Sequence, residues 1–246
     1  MFLLLLVLAL QSSSQPITLK RVEVLRVTPA DMERLPPALR PIFVDPMPDA
    51  EPVDNLDAAT SRAGFTPRLP KSANKPQFGV MDPTRAEVKI GVADLNAALR
   101  DAKAANVAVP EEWDGITILV QQGRGILADY GDFLITQAPP LTFSAPSSFP
   151  LEQFMEVLFR VLGLNAADAR TLRQKFAANP AAFILIPIRY DMDIHEVRLN
   201  SGSALLLQNG DKVGELALAW SSADRTYFVT GLLTEAQAIE TANSIQ

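Results

Sequence analysis

The last third of the chain has the most constraining pattern, a series of short apolar segments that leads into a capped helix. The segments have the length and alternation of β-strands and lie at residues 183–188, 194–199, 203–208, 213–220 and 225–230. Asn209-Gly210, between two of them, is a strong hairpin signal. Thr234 and Gln237 have the spacing of a capping box, which predicts the start of a helix. We therefore predict an antiparallel β-sheet packed by a C-terminal helix.

Alternation within residues 213–220 indicates which side of that sheet is buried. Trp220 shares one face with Leu216 and Leu218, because side chains two apart on a strand point the same way. The inward-facing positions of the terminal helix are Ala238, Ala242 and Ile245. We expect Trp220 and this helix, including Ile239, to form one packed unit.

A pair of helices is predicted before these strands. Apolar residues recur at helical spacing at Leu151, Phe154, Met155, Leu158, Phe159 and Leu162. Gly163 ends this helix, and Asn165 with Asp168 resembles the cap of a second helix that stops at Asn179-Pro180. We predict a helical hairpin inserted between strands, and hence an α+β fold.

The middle of the chain has the pattern of a strand, a helix and a meander. We expect a strand at residues 85–92 and a helix at residues 94–106, followed by strands at 116–121, 126–130 and 133–137. Gly123-Arg124-Gly125 is interpreted as a tight reversal, in which the glycines adopt positive φ.

Proline restricts the secondary structure that the region before the meander can form. Eleven of the 19 prolines lie between Pro29 and Pro83, and proline removes a ladder donor, so this region cannot be central sheet. Residues 17–27 form a predicted strand with a register break, and residues 29–52 are expected to be an extended stalk or surface wrap. We therefore divide the chain into a strand and Pro-rich stalk at 15–54 and an α+β domain at 55–246, which begins with a helix at residues 55–63.

The N-terminus is an unbroken apolar run from Phe2 to Leu10, followed by serines. The run is shorter than the roughly 20 residues that span a bilayer and matches the core of a signal peptide. Residues 1–14 are therefore interpreted as a signal peptide or as part of a membrane anchor, with a buried strand as a third alternative. The first two interpretations place the rest of the chain outside the cytoplasm.

Composition excludes several classes of function. The chain contains no cysteine, which excludes disulfides, thiolate zinc sites and cysteine nucleophiles. Its formal net charge is −6 and it has no basic stripe, so we expect no nucleic-acid partner.

His195 is the one histidine, and it alternates with Asp191 and Asp193 beside Glu196. Such a set could hold a divalent cation, but no second histidine or tight acidic loop supports it. We interpret it as a solvated strand face and expect no metal and no cofactor.

A hydrolase would need Ser201 or Ser203 near His195. The sequence around these serines lacks a nucleophile elbow and is typical of a hairpin turn. Paired carboxylates occur at Glu111-Glu112 and at Asp129 with Asp132, and because neighbouring positions on a strand or turn are expected to point apart, we interpret both as poor glycosidase pairs. We therefore expect no catalytic residue. Trp113 and Trp220 could stack on a ligand, although buried anchors are the commoner use.

Two further motifs occur at opposite ends of the predicted domain. Residues 58–70 read Ala-Ala-Thr-Ser-Arg-Ala-Gly-Phe-Thr-Pro-Arg-Leu-Pro. Near the C-terminus, a strand with Trp220 is followed by a strand with Tyr227, by Gly231 and by a helix that ends Ala-Asn-Ser-Ile. These motifs resemble the outer C-terminal domain of unknown function found in predicted bacterial transmembrane transcriptional regulators, which are anti-sigma-factor-like proteins. The resemblance covers roughly residues 55–246.

The resemblance implies a non-enzymatic extracytoplasmic sensor or protein-interaction domain. Its expected partner is another cell-envelope protein or a small envelope signal, with membrane contact only through the N-terminal apolar run. No segment resembles a sigma-binding module, so direct sigma-factor binding by these residues is not expected. Two alternatives remain: an exported carrier of an apolar ligand, with a pocket between sheet and helical hairpin, or a hydrolase centred on His195.

Overall fold

The computed structural model describes residues 17–18, 21–39, 49–71, 74–187, 192–209 and 215–245. The strands are β1 (Ile17–Thr18), β2 (Arg21–Val27), β3 (Ala50–Val53), β4 (Gln77–Met81), β5 (Thr84–Lys89), β6 (Thr117–Gln122), β7 (Gly125–Asp129), β8 (Phe133–Ala138), β9 (Thr142–Ser144), β10 (Ala181–Pro187), β11 (Met192–Leu199), β12 (Gly202–Asn209), β13 (Glu215–Ser221) and β14 (Thr226–Leu232). The α-helices are α1 (Pro29–Arg34), α2 (Leu56–Ala63), α3 (Val92–Asp101), α4 (Leu151–Val161), α5 (Ala166–Ala178) and α6 (Glu235–Ser244). The predicted α+β class is confirmed, with mostly antiparallel sheets, the inserted helical hairpin α4–α5 and the C-terminal helix α6.

Three sheets organise the described strands. The largest has eight strands in the order β11-β12-β13-β14-β8-β7-β4-β3, all antiparallel. A second has the order β1-β9-β6-β5, and β10 pairs with β2 in a third. The β2–β10 pair is parallel, so the expectation that residues 183–188 belong to the antiparallel run is wrong. The partner of β10 lies far away near the N-terminus, and nothing local in the sequence indicates it.

The predicted meander is wrong at Gly123-Arg124, where the chain crosses between two sheets without reversing. Met81 pairs with Gly125, and after two intervening residues on each side Thr84 pairs with Gln122 in the same register. The two arms β4–β5 and β6–β7 are therefore one long antiparallel ribbon that is interrupted as it passes from one sheet to the other.

The glycines at this crossing allow neighbouring chain segments to pack closely against them, and they do not adopt positive φ. Neither Gly123 nor Gly125 is among the glycines with positive φ. A Cβ on Gly123 would lie 2.8 Å from Cγ of Pro139, and one on Gly125 would lie 3.3 Å from the carbonyl oxygen of Gln137. Glycine at these two positions therefore allows close packing where the ribbon passes from one sheet to the other.

One face of the eight-stranded sheet is covered by α6, as predicted. Trp220 lies in a buried cluster with Ala238 and Ala242, and Ile239 and Ile245 pack against it. The capping box of Thr234 and Gln237 is present at the start of α6. The predicted packed unit of Trp220 and the terminal helix is confirmed. Further along the same face, α2 covers Val80 and Ile126 through Ala59.

A second core lies around the helical hairpin. Its buried side chains come from β2, β5, α3, β6, α4 and α5 and from the segment that follows α1. Asn165 caps α5 and Arg173 pairs with Glu156 of α4 at 2.8 Å. Trp113 is buried here, edge-on to Phe149 at 5.3 Å, so it is an anchor of the core.

Described residues between 21 and 39 also belong to this core. Residues Pro29–Arg34 form a helix with a capping box between Thr28 and Asp31, so the expectation of an extended segment is wrong there. The expectation that the Pro-rich region contains no central strand is also wrong, because β4 pairs with β3 on one side and with β7 on the other. Leu25, Leu35 and Leu39 are buried with α4. β1 pairs with β9 and β2 with β10, and residues 19–20, where the register break between Leu19 and Val22 is expected, lie outside the described residues. The apolar run Phe2–Leu10 and the hairpin residue Gly210 lie outside the described residues.

Candidate functional site

The segment at residues 58–70 and the closing strands of the chain meet in space at Arg68. Its guanidinium donates to the hydroxyl of Tyr227 at 2.7 Å and to both carboxylate oxygens of Asp224 at 3.1 and 3.0 Å. Arg225 donates to the carbonyl of Thr66 at 2.8 Å and lies 4.7 Å above the ring of Phe65. Residues 65–70 are therefore fixed along the end of the β13–β14 hairpin.

The side chain of Gln137 binds the backbone of the same segment. Its side-chain oxygen accepts from the backbone N–H of Arg68 at 2.9 Å, and its amide nitrogen donates to the Arg68 carbonyl. Only 1% of Gln137 is exposed. A segment without secondary structure thus has its backbone groups satisfied by a buried amide, as buried polar groups require.

Two pKa values are shifted in this cluster. Hydrogen bonds to Tyr227 and Asp224 raise the pKa of Arg68 above its ordinary value. The hydroxyl of Ser222 and the guanidinium of Arg68 lower the pKa of Asp224. Both groups are therefore charged at neutral pH, and the cluster is an ion pair with fixed geometry.

A cleft of about 750 Å³ lies between the two cores. One wall comes from β2 and α5, and the other from β11, β12 and β13. Glu196 pairs with Leu205 and Leu205 with Ala219, so these three side chains stand on one face of the sheet, facing β2. This size is within the range of small-ligand sites.

The cleft combines an apolar floor with charged walls. Ile194, Leu205 and Ala219 form the floor. The charged walls are Glu23 and Arg26 of β2, Lys175 of α5 and Glu196 of β11. The polar side chains of the lining are Asn179, Ser203 and Ser221. His195, Ala204 and Trp220 also line the cleft, although their strand register places their side chains on the other face of the sheet. Such a lining suits a ligand that has an apolar body and charged groups of both signs, as a peptide segment has.

The imidazole of His195 lies on the opposite face of the sheet from this cleft. His195 pairs with Leu206, which is buried against Trp220 and α6. Its Nδ1 lies 3.4 Å from Asp193 and its Nε2 lies 3.5 Å from Glu235 of α6. Asp193 and His195 share a face as predicted, whereas Asp191 lies outside the described residues.

The serine predicted as a possible nucleophile is separated from His195. Ser203 pairs with Arg198, so its side chain stands on the cleft face, while the imidazole stands on the other. Ser201 lies in the turn between β11 and β12. The described residues include no group of three or more His, Asp or Glu side chains placed to hold a metal ion.

Sequence reasoning missed Gln137 and the charged cleft walls. Gln137 continues a strand face that carries Phe133 and Ile135, and this break in an apolar series was a readable signal. Arg26 and Lys175 resemble ordinary solvated charges in the sequence, and only the fold brings them together.

Within the described ranges, no helix has the length and apolar character that crossing a bilayer requires. Comparisons of the chain with family models, curated proteins and solved structures gave no significant match.

Proposed function

We propose that the protein is a non-enzymatic extracytoplasmic sensor or protein-interaction domain, related in role to the outer part of anti-sigma-factor-like regulators. The observation that carries the proposal is the cleft between the two cores, with its apolar floor and its walls of both charges. This lining offers recognition groups to a partner. His195 is part of the lining, but its strand register places the imidazole on the other face of the sheet.

The Arg68 cluster supports the same proposal. The two sequence motifs behind the resemblance, residues 58–70 and the closing strands and helix, contact each other directly through Arg68, Tyr227 and Asp224. This contact gives a physical reason for the two motifs to occur together, since each supplies half of one interface. The two motifs are therefore parts of one packed region of the fold.

The proposed partner is another cell-envelope protein or a small envelope signal. The net charge of −6 argues against a nucleic-acid partner. The cleft lining contains Glu196 together with Lys175 and Arg26, so a segment carrying both a positive and a negative group matches it better than a ligand of one sign.

Capture from a cell-envelope fraction tests this function. We compare the protein with Lys175→Glu and Ser203→Trp, which alter the charge and the volume of the cleft. Arg170→Glu is the matched control, because it makes the same charge change on an exposed position of α5 outside the cleft. The proposal requires an envelope partner that the wild type and Arg170→Glu retain and the cleft variants lose. Consistent recovery of cytosolic proteins alone would contradict it.

The alternative function is an exported carrier of an apolar ligand. It is favoured by the position of the cleft, which lies between the sheet and the second helix of the helical hairpin. The charged walls disfavour a purely apolar ligand. Native mass spectrometry separates the two functions: copurifying lipid supports the carrier, and a clean mass of the protein alone supports the interaction domain.

A further inference from the structure

A second depression lies on the same face of the eight-stranded sheet as the cleft, farther along the strands. It has a volume of about 560 Å³ and is called here the acidic-rimmed groove. One continuous cross-strand row forms its floor, because the ladder pairs Leu134 with Thr230, Thr230 with Ala217, and Ala217 with Leu207. The floor is therefore apolar except for one hydroxyl.

Leu232 stands at the edge of this floor. It projects to the same side as Thr230, two residues earlier on β14. Its exposed fraction is 67%, and among the described residues it is the one large apolar side chain that is mostly exposed. Leu232 also lines the groove, so it extends the apolar floor as one continuous exposed surface.

The rim of the groove is acidic. Asp129 and Asp132 flank the β7–β8 turn, and both line the groove. One oxygen of Asp129 accepts from the N–H of Gly131 at 2.7 Å. Neither carboxylate forms an ion pair with a described residue, and no basic side chain of the described chain is part of the lining. The groove thus presents two negative charges beside apolar surface.

The rim is held in place by the backbone. The N–H of Leu232 donates to the carbonyl of Asp132 at 3.0 Å. Gly231 permits this approach, since a Cβ there would clash with the Asp132 carbonyl and would lie 2.6 Å from Cα of Phe133. Leu232 and Asp132 are therefore fixed beside each other, which preorganises the apolar and the charged parts of the surface.

We propose that the acidic-rimmed groove binds a short segment of another protein in which apolar side chains stand next to lysine or arginine. The apolar side chains of the bound segment pack on Leu134, Ala217 and Leu207, and its lysine or arginine pairs with Asp132 and Asp129. Charge complementarity selects this partner, because burying two carboxylates against an acidic or neutral segment leaves them unpaired. The surface is separate from the cleft and does not depend on the cleft's function.

The test uses fluorescence anisotropy with three labelled short peptides: one of leucine and lysine, one of leucine and glutamate, and one of glycine, serine and lysine. Only the leucine–lysine peptide is expected to bind. Asp132→Lys and Leu232→Ser are each expected to weaken its binding by about tenfold or more. Asp101→Lys, at an exposed aspartate of α3, is the matched control and leaves binding unchanged.

Several results would overturn the proposal. Equal binding of the glycine–serine–lysine peptide, or equal loss with Asp101→Lys, would indicate unspecific attraction to an acidic protein. Self-association in sedimentation experiments that Leu232→Ser abolishes would assign the groove to a second copy of the chain. Lys175→Glu is expected to leave peptide binding intact, so failure at the groove and failure of the cleft are distinguishable. Near-UV circular dichroism verifies that each variant is folded.

Discussion

Arg68 and Tyr227, which are 159 residues apart in the chain, are joined by a hydrogen bond of 2.7 Å between the guanidinium and the phenol oxygen. This bond ties a segment near the start of the predicted domain to the strand that precedes its last helix. Around it, Gln137, Asp224 and Arg225 complete a polar cluster at the end of the β13–β14 hairpin. The cluster is where a segment without regular structure is fixed to the sheet.

Gln137→Leu is expected to destabilise the protein by about 2–3 kcal/mol, because it leaves the backbone N–H and carbonyl of Arg68 without their partner. Gln121→Leu is the matched control, since this half-buried glutamine of β6 has no comparable role. Urea unfolding of both variants measures the difference. Equal stability of the two variants would mean that the Gln137 contacts contribute nothing net.

The pH dependence of Asp224 follows from the direction of its pKa. Because the folded-state pKa is lowered, the carboxylate stabilises the fold above its unfolded pKa of about 4, and this contribution is lost as the pH falls through the folded value. Asp224 is half-exposed, so the effect at pH 7 is below about 1 kcal/mol. The difference in unfolding free energy between wild type and Asp224→Asn should shrink between about pH 5 and pH 3. A difference that grows on acidification would contradict this assignment.

Elements with a strong local signal were predictable from the sequence. The apolar spacing of α4, the capping of α5 and α6, and the alternation in β11 to β14 are local properties. The pairing of β2 with β10 and the crossing at Gly123 depend on residues far apart in the chain, and the three-residue β9 was missed because it has no periodicity of its own.

The cleft was even less predictable than the fold. The pocket between sheet and helical hairpin was considered for an apolar ligand, but its charged walls come from β2, α5 and β11, which meet only in the folded chain. Sequence reasoning concentrated on His195, whose imidazole stands on the other face of the sheet. The strand register of a residue decides on which face of the sheet its side chain lies, even when that residue type occurs only once in the chain.

Gly231→Ala is expected to cost about 3 kcal/mol, mainly because the new methyl group meets the backbone of Asp132 and Phe133, which cannot move aside independently of the sheet. The backbone of Gly231, with φ +153°, adds conformational strain as it does at the control position. Gly131→Ala is the matched control. Gly131 has φ +90°, but nothing lies within 4 Å of the position that its new methyl group would take, so only conformational strain of about 1 kcal/mol is expected. Thermal and urea unfolding measure both, and equal effects would refute the importance of close packing at Gly231.

The N-terminal region is expected to be necessary for folding, in contrast to a stalk. Leu35 is 1% exposed within the core around α4, so Leu35→Ala should cost about 2–5 kcal/mol. Leu232→Ala is the matched control, since the same substitution at a side chain that is 67% exposed should change stability by less than about 0.5 kcal/mol. A fragment of residues 55–246 lacks β2 and α1, and it should lose cooperative unfolding because β10 and α4 lose their partners. If that fragment unfolded with the midpoint and cooperativity of the full chain, residues 15–54 would be a stalk after all, and the packing of Leu25 and Leu35 would contribute no stability.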